Sequence, residues 1–374
     1  MPTPSITIPA NLRPVDGRFG CGPSKIRPEA IAALANSATT YLGTSHRQNT
    51  VKSMVGRLRS GLRELFALPD GYEVVLGNGG STVFWDIATF GLIRQTSQHL
   101  VFGEFSSKFA EAVTAAPHLG QPQVIESAVG TCPAAIGVAG VDTYCLTHNE
   151  TSTGVAMPIV RAAGADADAL VVVDATSGAG GIEVDATQFD CYYFAPQKCF
   201  ASDGGLWTAL CSPAALERVA SIKDSKRWMP ASLDLSIALD NSTKDQTYNT
   251  PALATIFLFV EQVEWMLANG GLSWAAARSA ESSNHLYQWA EASSFATPFV
   301  VAPEDRSPVV VTIDLDGVDA DTVSAVLRAN GVVDTDSYRK LGRNQLRMAT
   351  FPSVDPDDVR ALTNCIDHVV AALV

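Results

Sequence analysis

The chain has 374 residues, 47% of them hydrophobic and 17% charged, and a formal net charge of −13. That size and composition exclude a disordered polymer and leave room for one large domain with a smaller companion. The negative field repels nucleic acid and anionic lipid, so an anionic small ligand would have to be met by a local group of basic residues.

The N-terminal stretch Met1–Pro9 has no basic start followed by an apolar core, so no signal peptide is expected. No apolar run is long enough to span a membrane: the stretch Ile256 to Leu267 is broken by Glu261 and Glu264. The seven cysteines form no CxxC pair and no metal-ligand spacing, which reads as reduced thiols in a cytoplasmic protein with no metal site.

From Glu73 to Ser212, short apolar runs alternate with helical or loop segments. Strands are predicted at Glu73–Leu76, His99–Phe102, Gln123–Glu126, Thr143–Thr147, Leu170–Asp174, Cys191–Ala195 and Leu206–Cys211, with a helix from Ser81 to about Arg94. Several are nearly unbroken apolar runs, the pattern of a mainly parallel sheet covered on both faces. A long helix then runs from Pro251 to about Asn269 and stops at Gly270-Gly271, and a second follows from about Ser273 to Ser294. Next come a strand at Val309–Asp314, a helix at Ala320–Asn330 and a strand at Leu346–Thr350. A final helix opens on Asp355-Pro356, an N-cap with proline in the first turn. The change of character predicts a large domain over residues 16–258 and a small α/β domain over 259–374, joined by residues 1–15.

Three segments carry chemistry. In Ala195-Pro-Gln-Lys198, a strand leads into a turn bearing one of only eight lysines. Burial would depress its ammonium pKa and make it nucleophilic, although a strand-end lysine reaching solvent is an equally good reading of this segment alone. Asp174 closes the Leu-Val-Val-Val strand, where parallel sheets present carboxylates to a ligand crevice; a turn aspartate is the plainer reading. Val74-Val-Leu-Gly-Asn-Gly-Gly-Ser-Thr-Val-Phe-Trp85 takes a strand through a glycine turn into a helix, a phosphate-binding arrangement of backbone amides. It matches neither the P-loop nor the dinucleotide fingerprint.

Phosphate turn, aspartate and lysine in that order resemble the fold-type I pyridoxal-phosphate (PLP) enzymes, and the whole chain resembles the phosphoserine aminotransferase family of class V aminotransferases. The matching motifs are Phe19-Gly-Cys-Gly-Pro23, Gly43-Thr-Ser-His-Arg47, Gly77-Asn-Gly-Gly-Ser-Thr82, His148-Asn-Glu-Thr-Ser-Thr-Gly154, Val173-Asp174, Ala195-Pro-Gln-Lys198 and Tyr248-Asn-Thr-Pro251. The resemblance implies a seven-stranded, mainly parallel sheet between helices. It implies one PLP per subunit on Lys198 as a Schiff base, with Lys198 also acting as the base, and Asp174 on the pyridine nitrogen. Thr151 would bond the ring hydroxyl, and Gln197, Ser81 and Thr82 the phosphate region. Asn249 and Thr250 would reach the phosphate from the partner in a homodimer. Two departures stand out: Phe105 falls where many members stack tryptophan, and Thr82 where many carry arginine.

The implied reaction exchanges an amino group between glutamate and 3-phosphohydroxypyruvate, two doubly anionic substrates that suit arginine's planar fork. His46 and Arg47 match the family's Ser-His-Arg motif. Between Ser337 and Thr350 stand Arg339, Lys340, Arg343 and Arg347 with no acid, a local reversal of the chain's charge. Arg347 resembles the arginine that binds the α-carboxylate, and Arg339, Lys340 and Arg343 are candidates for the substrate phosphate. The alternatives are another class V aminotransferase acting on alanine and glyoxylate or serine and pyruvate, a cysteine desulfurase, or a nucleotide-binding α/β protein. Desulfurases place histidine before the lysine, where this chain has Gln197. The sequence leaves open whether the phospho-hydroxythreonine of vitamin B6 synthesis is also a substrate.

Overall fold

The computed structural model describes residues 5–374. The first four residues of the segment 1–15 grouped above with the small domain, and of the stretch read as lacking a signal peptide, lie outside the described residues. Two helices for which no element is predicted above come first, α1 (Pro28–Tyr41) and α2 (Asn49–Leu65). In α2, Val51, Met54, Val55, Leu58, Leu62 and Leu65 recur at helical spacing and are buried.

There follow β1 (Glu73–Asn78), α3 (Ser81–Gly91), β2 (Ser97–Val101), α4 (Glu104–Thr114), β3 (Gln123–Glu126), β4 (Thr143–Thr147), the short hairpin strands β5 (Asn149–Glu150) and β6 (Val155–Ala156), β7 (Leu170–Asp174), β8 (Cys191–Phe194) and β9 (Leu206–Cys211). All seven strands predicted between Glu73 and Ser212 join one sheet, in the order β1-β9-β8-β7-β4-β2-β3. Only β9 runs against the others: it pairs antiparallel with β1 and β8, while β8-β7-β4-β2-β3 pair parallel. Both faces are covered. Along β7, Val171 and Val173 feed one apolar cluster and Leu170 and Val172 another, because alternate side chains of a strand point to opposite faces.

The helix α3 ends at Gly91, short of the predicted Arg94. The cause is Asp142, whose carboxylate accepts from the backbone N–H groups of Arg94, Gln95 and Thr96 at 2.7–3.0 Å and turns that segment into β2.

After the sheet come α5 (Pro213–Asp224), capped by Ser212, and α6 (Leu235–Ser242), capped by Asp234. Then come α7 (Leu253–Ala268), which packs on α2, and α8 (Gly271–Ala292). The remaining elements are β10 (Ala296–Pro298), β11 (Val310–Leu315), α9 (Ala320–Ala329), β12 (Gln345–Ala349) and α10 (Pro356–Leu373). Strands β10-β11-β12 form a second, antiparallel sheet. In α10 Asp355 accepts from the N–H of Asp357 with Pro356 in the first turn, and Val359, Leu362, Ile366, Val369 and Val370 are buried.

The change of core falls along α8, where Ala275 belongs to the large cluster and Leu286, Tyr287 and Ala290 to the small one. The small cluster also takes Ile8 and Phe19 from the N-terminal segment. Among the described residues no helix is long and apolar enough to cross a membrane.

Candidate active site

Because β1, β4, β7 and β8 run the same way, their C-terminal ends open on one edge of the sheet, the place where such sheets bind ligands. A cavity of about 180 Å³ lies there, and Ser81, Thr82, Phe105, Thr151, Asp174, Gln197 and Lys198 all line it. The glycine turn after β1 sets its floor. Gly79 has φ +120°, and a side chain there would strike Val83 at 2.8 Å. The turn delivers Ser81 and Thr82 at the start of α3, where backbone N–H groups lack helical partners. The Ser81 hydroxyl is buried with no hydrogen-bond partner, as are Gln197 Oε1 and Asn149 Oδ1, whose residues line the same cavity.

Lys198 stands just past β8 and opens onto the cavity. Desolvation, reinforced by the charge of Arg347, lowers its ammonium pKa to about 8, against opposing contributions from Cys21, Cys199 and Asp174. Its Nζ donates to the Cys21 carbonyl at 2.6 Å. The wall here is backbone: a Cβ on Gly22 (φ +139°) would lie 2.0 Å from Nζ, so a side chain there would displace the lysine amine.

Asp174 is buried, and Oδ2 accepts from the Trp85 indole N–H at 2.9 Å while Oδ1 accepts from the Thr176 backbone N–H at 3.0 Å. The Thr151 hydroxyl donates to Ser177 Oγ, which in turn donates to the Asn149 carbonyl. Glu150, between them in sequence, is buried and its Oε2 accepts from the N–H groups of Phe105 and Ser106 and from the Ser106 hydroxyl. It thereby holds the positive end of α4, and with it Phe105, against the cavity. Burial raises the Glu150 pKa, opposed by hydrogen bonds from Ser106 and Ser152. His148 is buried against the Tyr192 hydroxyl, and desolvation lowers it to about 4, so it is neutral near pH 7.

The basic residues are not gathered together. Arg347, on β12, donates to the Thr151 carbonyl at 3.1 Å and lies over the Tyr338 ring, with its buried Nε unpartnered. Tyr338 in turn approaches Phe105, with ring centroids 6.1 Å apart. Lys340 pairs with Glu104 beside the cavity, and Arg339 is exposed. Arg343, grouped with them from sequence, turns the other way: its Nε donates to Asp314 and its guanidinium covers the Phe299 ring. His46, Arg47, Asn249 and Thr250 do not line the cavity. His46 Nδ1 lies 3.2 Å from the Thr250 hydroxyl, and Asn78 donates to the Thr250 carbonyl, which places this group on a neighbouring face beside the glycine turn.

Sequence reasoning assigned no role to Trp85, Glu150, Thr176 or Ser177. Each had a signal: Trp85 is four residues from Ser81 on α3, hence on the same helix face, and the other three sit inside or next to the quoted motifs.

Residues 132–335 match the family model described as aminotransferase class-V, so the chain belongs to the class V aminotransferases. A phosphoserine aminotransferase of Nocardioides sp. is 62% identical over 370 residues, 98% of this chain and 99% of that protein. The chain belongs to the phosphoserine aminotransferase family. Two solved structures share its fold. The Cytophaga hutchinsonii phosphoserine aminotransferase has a TM-score of 0.85 at 24% identity, covering 94% of this chain and 99% of that one. The PLP-bound phosphoserine aminotransferase of Trichomonas vaginalis has a TM-score of 0.78 at 18% identity, covering 94% and 99%.

Proposed function

We propose that the cavity holds pyridoxal 5′-phosphate, one per subunit, and that the chain moves an amino group from L-glutamate to 3-phosphohydroxypyruvate. The products are 2-oxoglutarate and O-phospho-L-serine, a step of serine biosynthesis. The observation that carries the cofactor reading is the meeting, in one cavity, of a lysine with a depressed pKa, a buried carboxylate and a helix-opening turn with an unpartnered hydroxyl. The substrate pair is supported by relatives about 60% identical over nearly the whole chain that bear the name phosphoserine aminotransferase.

The residues fit the group. Lys198 would carry the cofactor as a Schiff base, Asp174 would hold the proton at the ring nitrogen, and Thr151 would meet the ring hydroxyl. Ser81, Thr82 and Gln197 would meet the phosphate, and Phe105 would lie against the ring. When bound, PLP supplies an electrophilic aldehyde and a ring that takes up the electron pair of a broken Cα–H bond. With its amine free, Lys198 would hold at Nζ the proton lost from Cα of the amino donor; its depressed pKa makes the neutral amine available near neutral pH. Arg347 would bind the α-carboxylate. Arg339 and Lys340 would face the substrate's second anion, and Arg343 would join them only by leaving Asp314.

We place the active form as a homodimer in the cytoplasm. Asn249, Thr250, His46 and Arg47 stand outside the chain's own cavity yet beside its glycine turn, where they could serve the cavity of a partner subunit. Seven free cysteines suit a reducing compartment. A division into a large domain over 16–258 and a small one over 259–374 with residues 1–15 is supported by the separate core beneath the second sheet. Phe259, Val260, Val263 and Met266, however, pack in the large core, which moves the boundary into α8.

The test is the absorbance spectrum of the purified protein before and after glutamate. A band in the near ultraviolet or violet that shifts on adding glutamate, and shifts back with 3-phosphohydroxypyruvate, is expected. A protein that stays colourless after incubation with PLP would remove the cofactor and the reaction with it.

A further inference from the structure

Two kinds of donor hold the Asp174 carboxylate. Thr176 is local, two residues along the chain, and belongs to the turn that ends β7. Trp85 is not local: its indole N–H crosses from α3 to Oδ2 at 2.9 Å, over 89 positions of sequence. Tyr193 stands opposite Asp174 in the β7–β8 register; burial and the nearby Asp174 charge raise its pKa, but its hydroxyl makes no hydrogen bond of ordinary length. Trp85 is therefore the side chain outside the turn that donates to this carboxylate at ordinary hydrogen-bond distance.

Trp85 also shares a helix face with Ser81, four residues before it, and both line the cavity. One face of α3 thus reaches the glycine turn at one end and the carboxylate at the other. An indole is a neutral donor with no acceptor, so it orients a carboxylate without cancelling its charge, as a lysine or arginine would.

We infer that Trp85 is a positioning residue that stops Asp174 rotating and fixes its distance from the phosphate-binding turn, so that α3 spans the cofactor from phosphate to ring nitrogen. This rests on the reading above that Asp174 meets the ring nitrogen. Trp85 acts only through Asp174 and takes no part in proton transfer.

The test is PLP affinity, titrated into apoprotein, for wild type, Trp85→Phe, Asp174→Ala and the double variant. Trp85→Phe keeps an aromatic wall and removes the donor, and is expected to weaken PLP binding about tenfold, the scale of one lost hydrogen bond to a charged group. Asp174→Ala should weaken it further, and the double variant should bind no worse than Asp174→Ala alone. The absorbance band of bound cofactor should also change its pH dependence in Trp85→Phe, which loss of packing would not produce. Wild-type affinity in Trp85→Phe, or the same tenfold loss on top of Asp174→Ala, overturns the inference and leaves the cofactor reading standing. Wild-type affinity in Asp174→Ala removes both. Should Trp85→Phe not fold, indole N–H resonances of isotope-labelled tryptophan carry the test. One resonance must move when Asp174 is replaced by alanine, and none moving is a refutation.

Discussion

Asp174 closes β7 and Lys198 follows β8, strands buried on both faces, whereas Arg339, Lys340 and Arg343 stand on an exposed stretch before β12. On a buried strand, position is inherited: the ladder fixes the backbone, and burial fixes the electrostatics. On an exposed stretch a cation settles on whichever acid is near or stays in solvent, so Lys340 finds Glu104, Arg343 finds Asp314 and Arg339 is left exposed. Four basic residues close in sequence thus acquire four different surroundings, while carboxylate and lysine from separate strands converge on one cavity.

Substitutions can break or sharpen that contrast. The largest effect is expected from Lys198→Ala, which should lower turnover at least about a thousandfold, the scale of a lost general base. Single-turnover absorbance with glutamate reads it, and a near-normal rate would show that the sheet edge is not the reacting wall. The same lysine gives a pH signature. Its pKa is lowered from 10.5 to about 8, so the neutral, nucleophilic amine grows in as pH rises through 8. The rate at which apoprotein captures PLP should rise with a midpoint near 8; a midpoint above 10 would mean an ordinary solvated lysine.

Next in size, Asp174→Ala is expected to cost roughly ten- to a hundredfold in the rate of the half-reaction with glutamate, through loss of charge-assisted bonds. Arg347→Ala, on β12 rather than the exposed stretch, should raise the KM for glutamate about tenfold, or about 1.4 kcal/mol. Steady-state kinetics decide it: an unchanged KM would place Arg347 with the loop cations. The smallest effect is expected for Arg343→Ala, because a surface ion pair contributes about 0–1 kcal/mol. Its KM for the phosphorylated acceptor should change less than about threefold at that scale. A larger rise would mean that Arg343 leaves Asp314 for substrate, and the contrast between wall and loop would dissolve.

The same division governs what could be read in advance. Several of the seven large-sheet strands are nearly unbroken apolar runs, and the bounds of all seven fall within two residues of prediction. α1 and α2 carried no motif, although the buried positions of α2 keep a helical period. The truncation of α3 depends on Asp142, some fifty residues away, and no local pattern contains that capture. Likewise the Trp85–Asp174 bond joins two segments that are adjacent only once the sheet has formed. The direction in which Arg343 turns depends on Asp314 across the β11–β12 pair, and the run of basic residues gave no hint of it.

The segment from Gly17 to Ser24 is pinned by residues more than three hundred positions further along the chain. Val333 N–H donates to the Gly17 carbonyl, Ala349 N–H to the Phe19 carbonyl, and the hydroxyls of Ser24 and Ser353 lie 3.2 Å apart. The same segment holds the Lys198 amine through the Cys21 carbonyl and the Gln197 carbonyl through the Ser24 N–H. On the ribosome, the Gly17–Ser24 segment must therefore wait for β12, made far later, before the lysine wall is complete. Nascent chains that stop short of Ala349 could build the large sheet, since domains fold as they emerge, yet would lack the backbone that keeps the lysine in place. Colour from bound cofactor would then report finished chains and pass over abandoned ones.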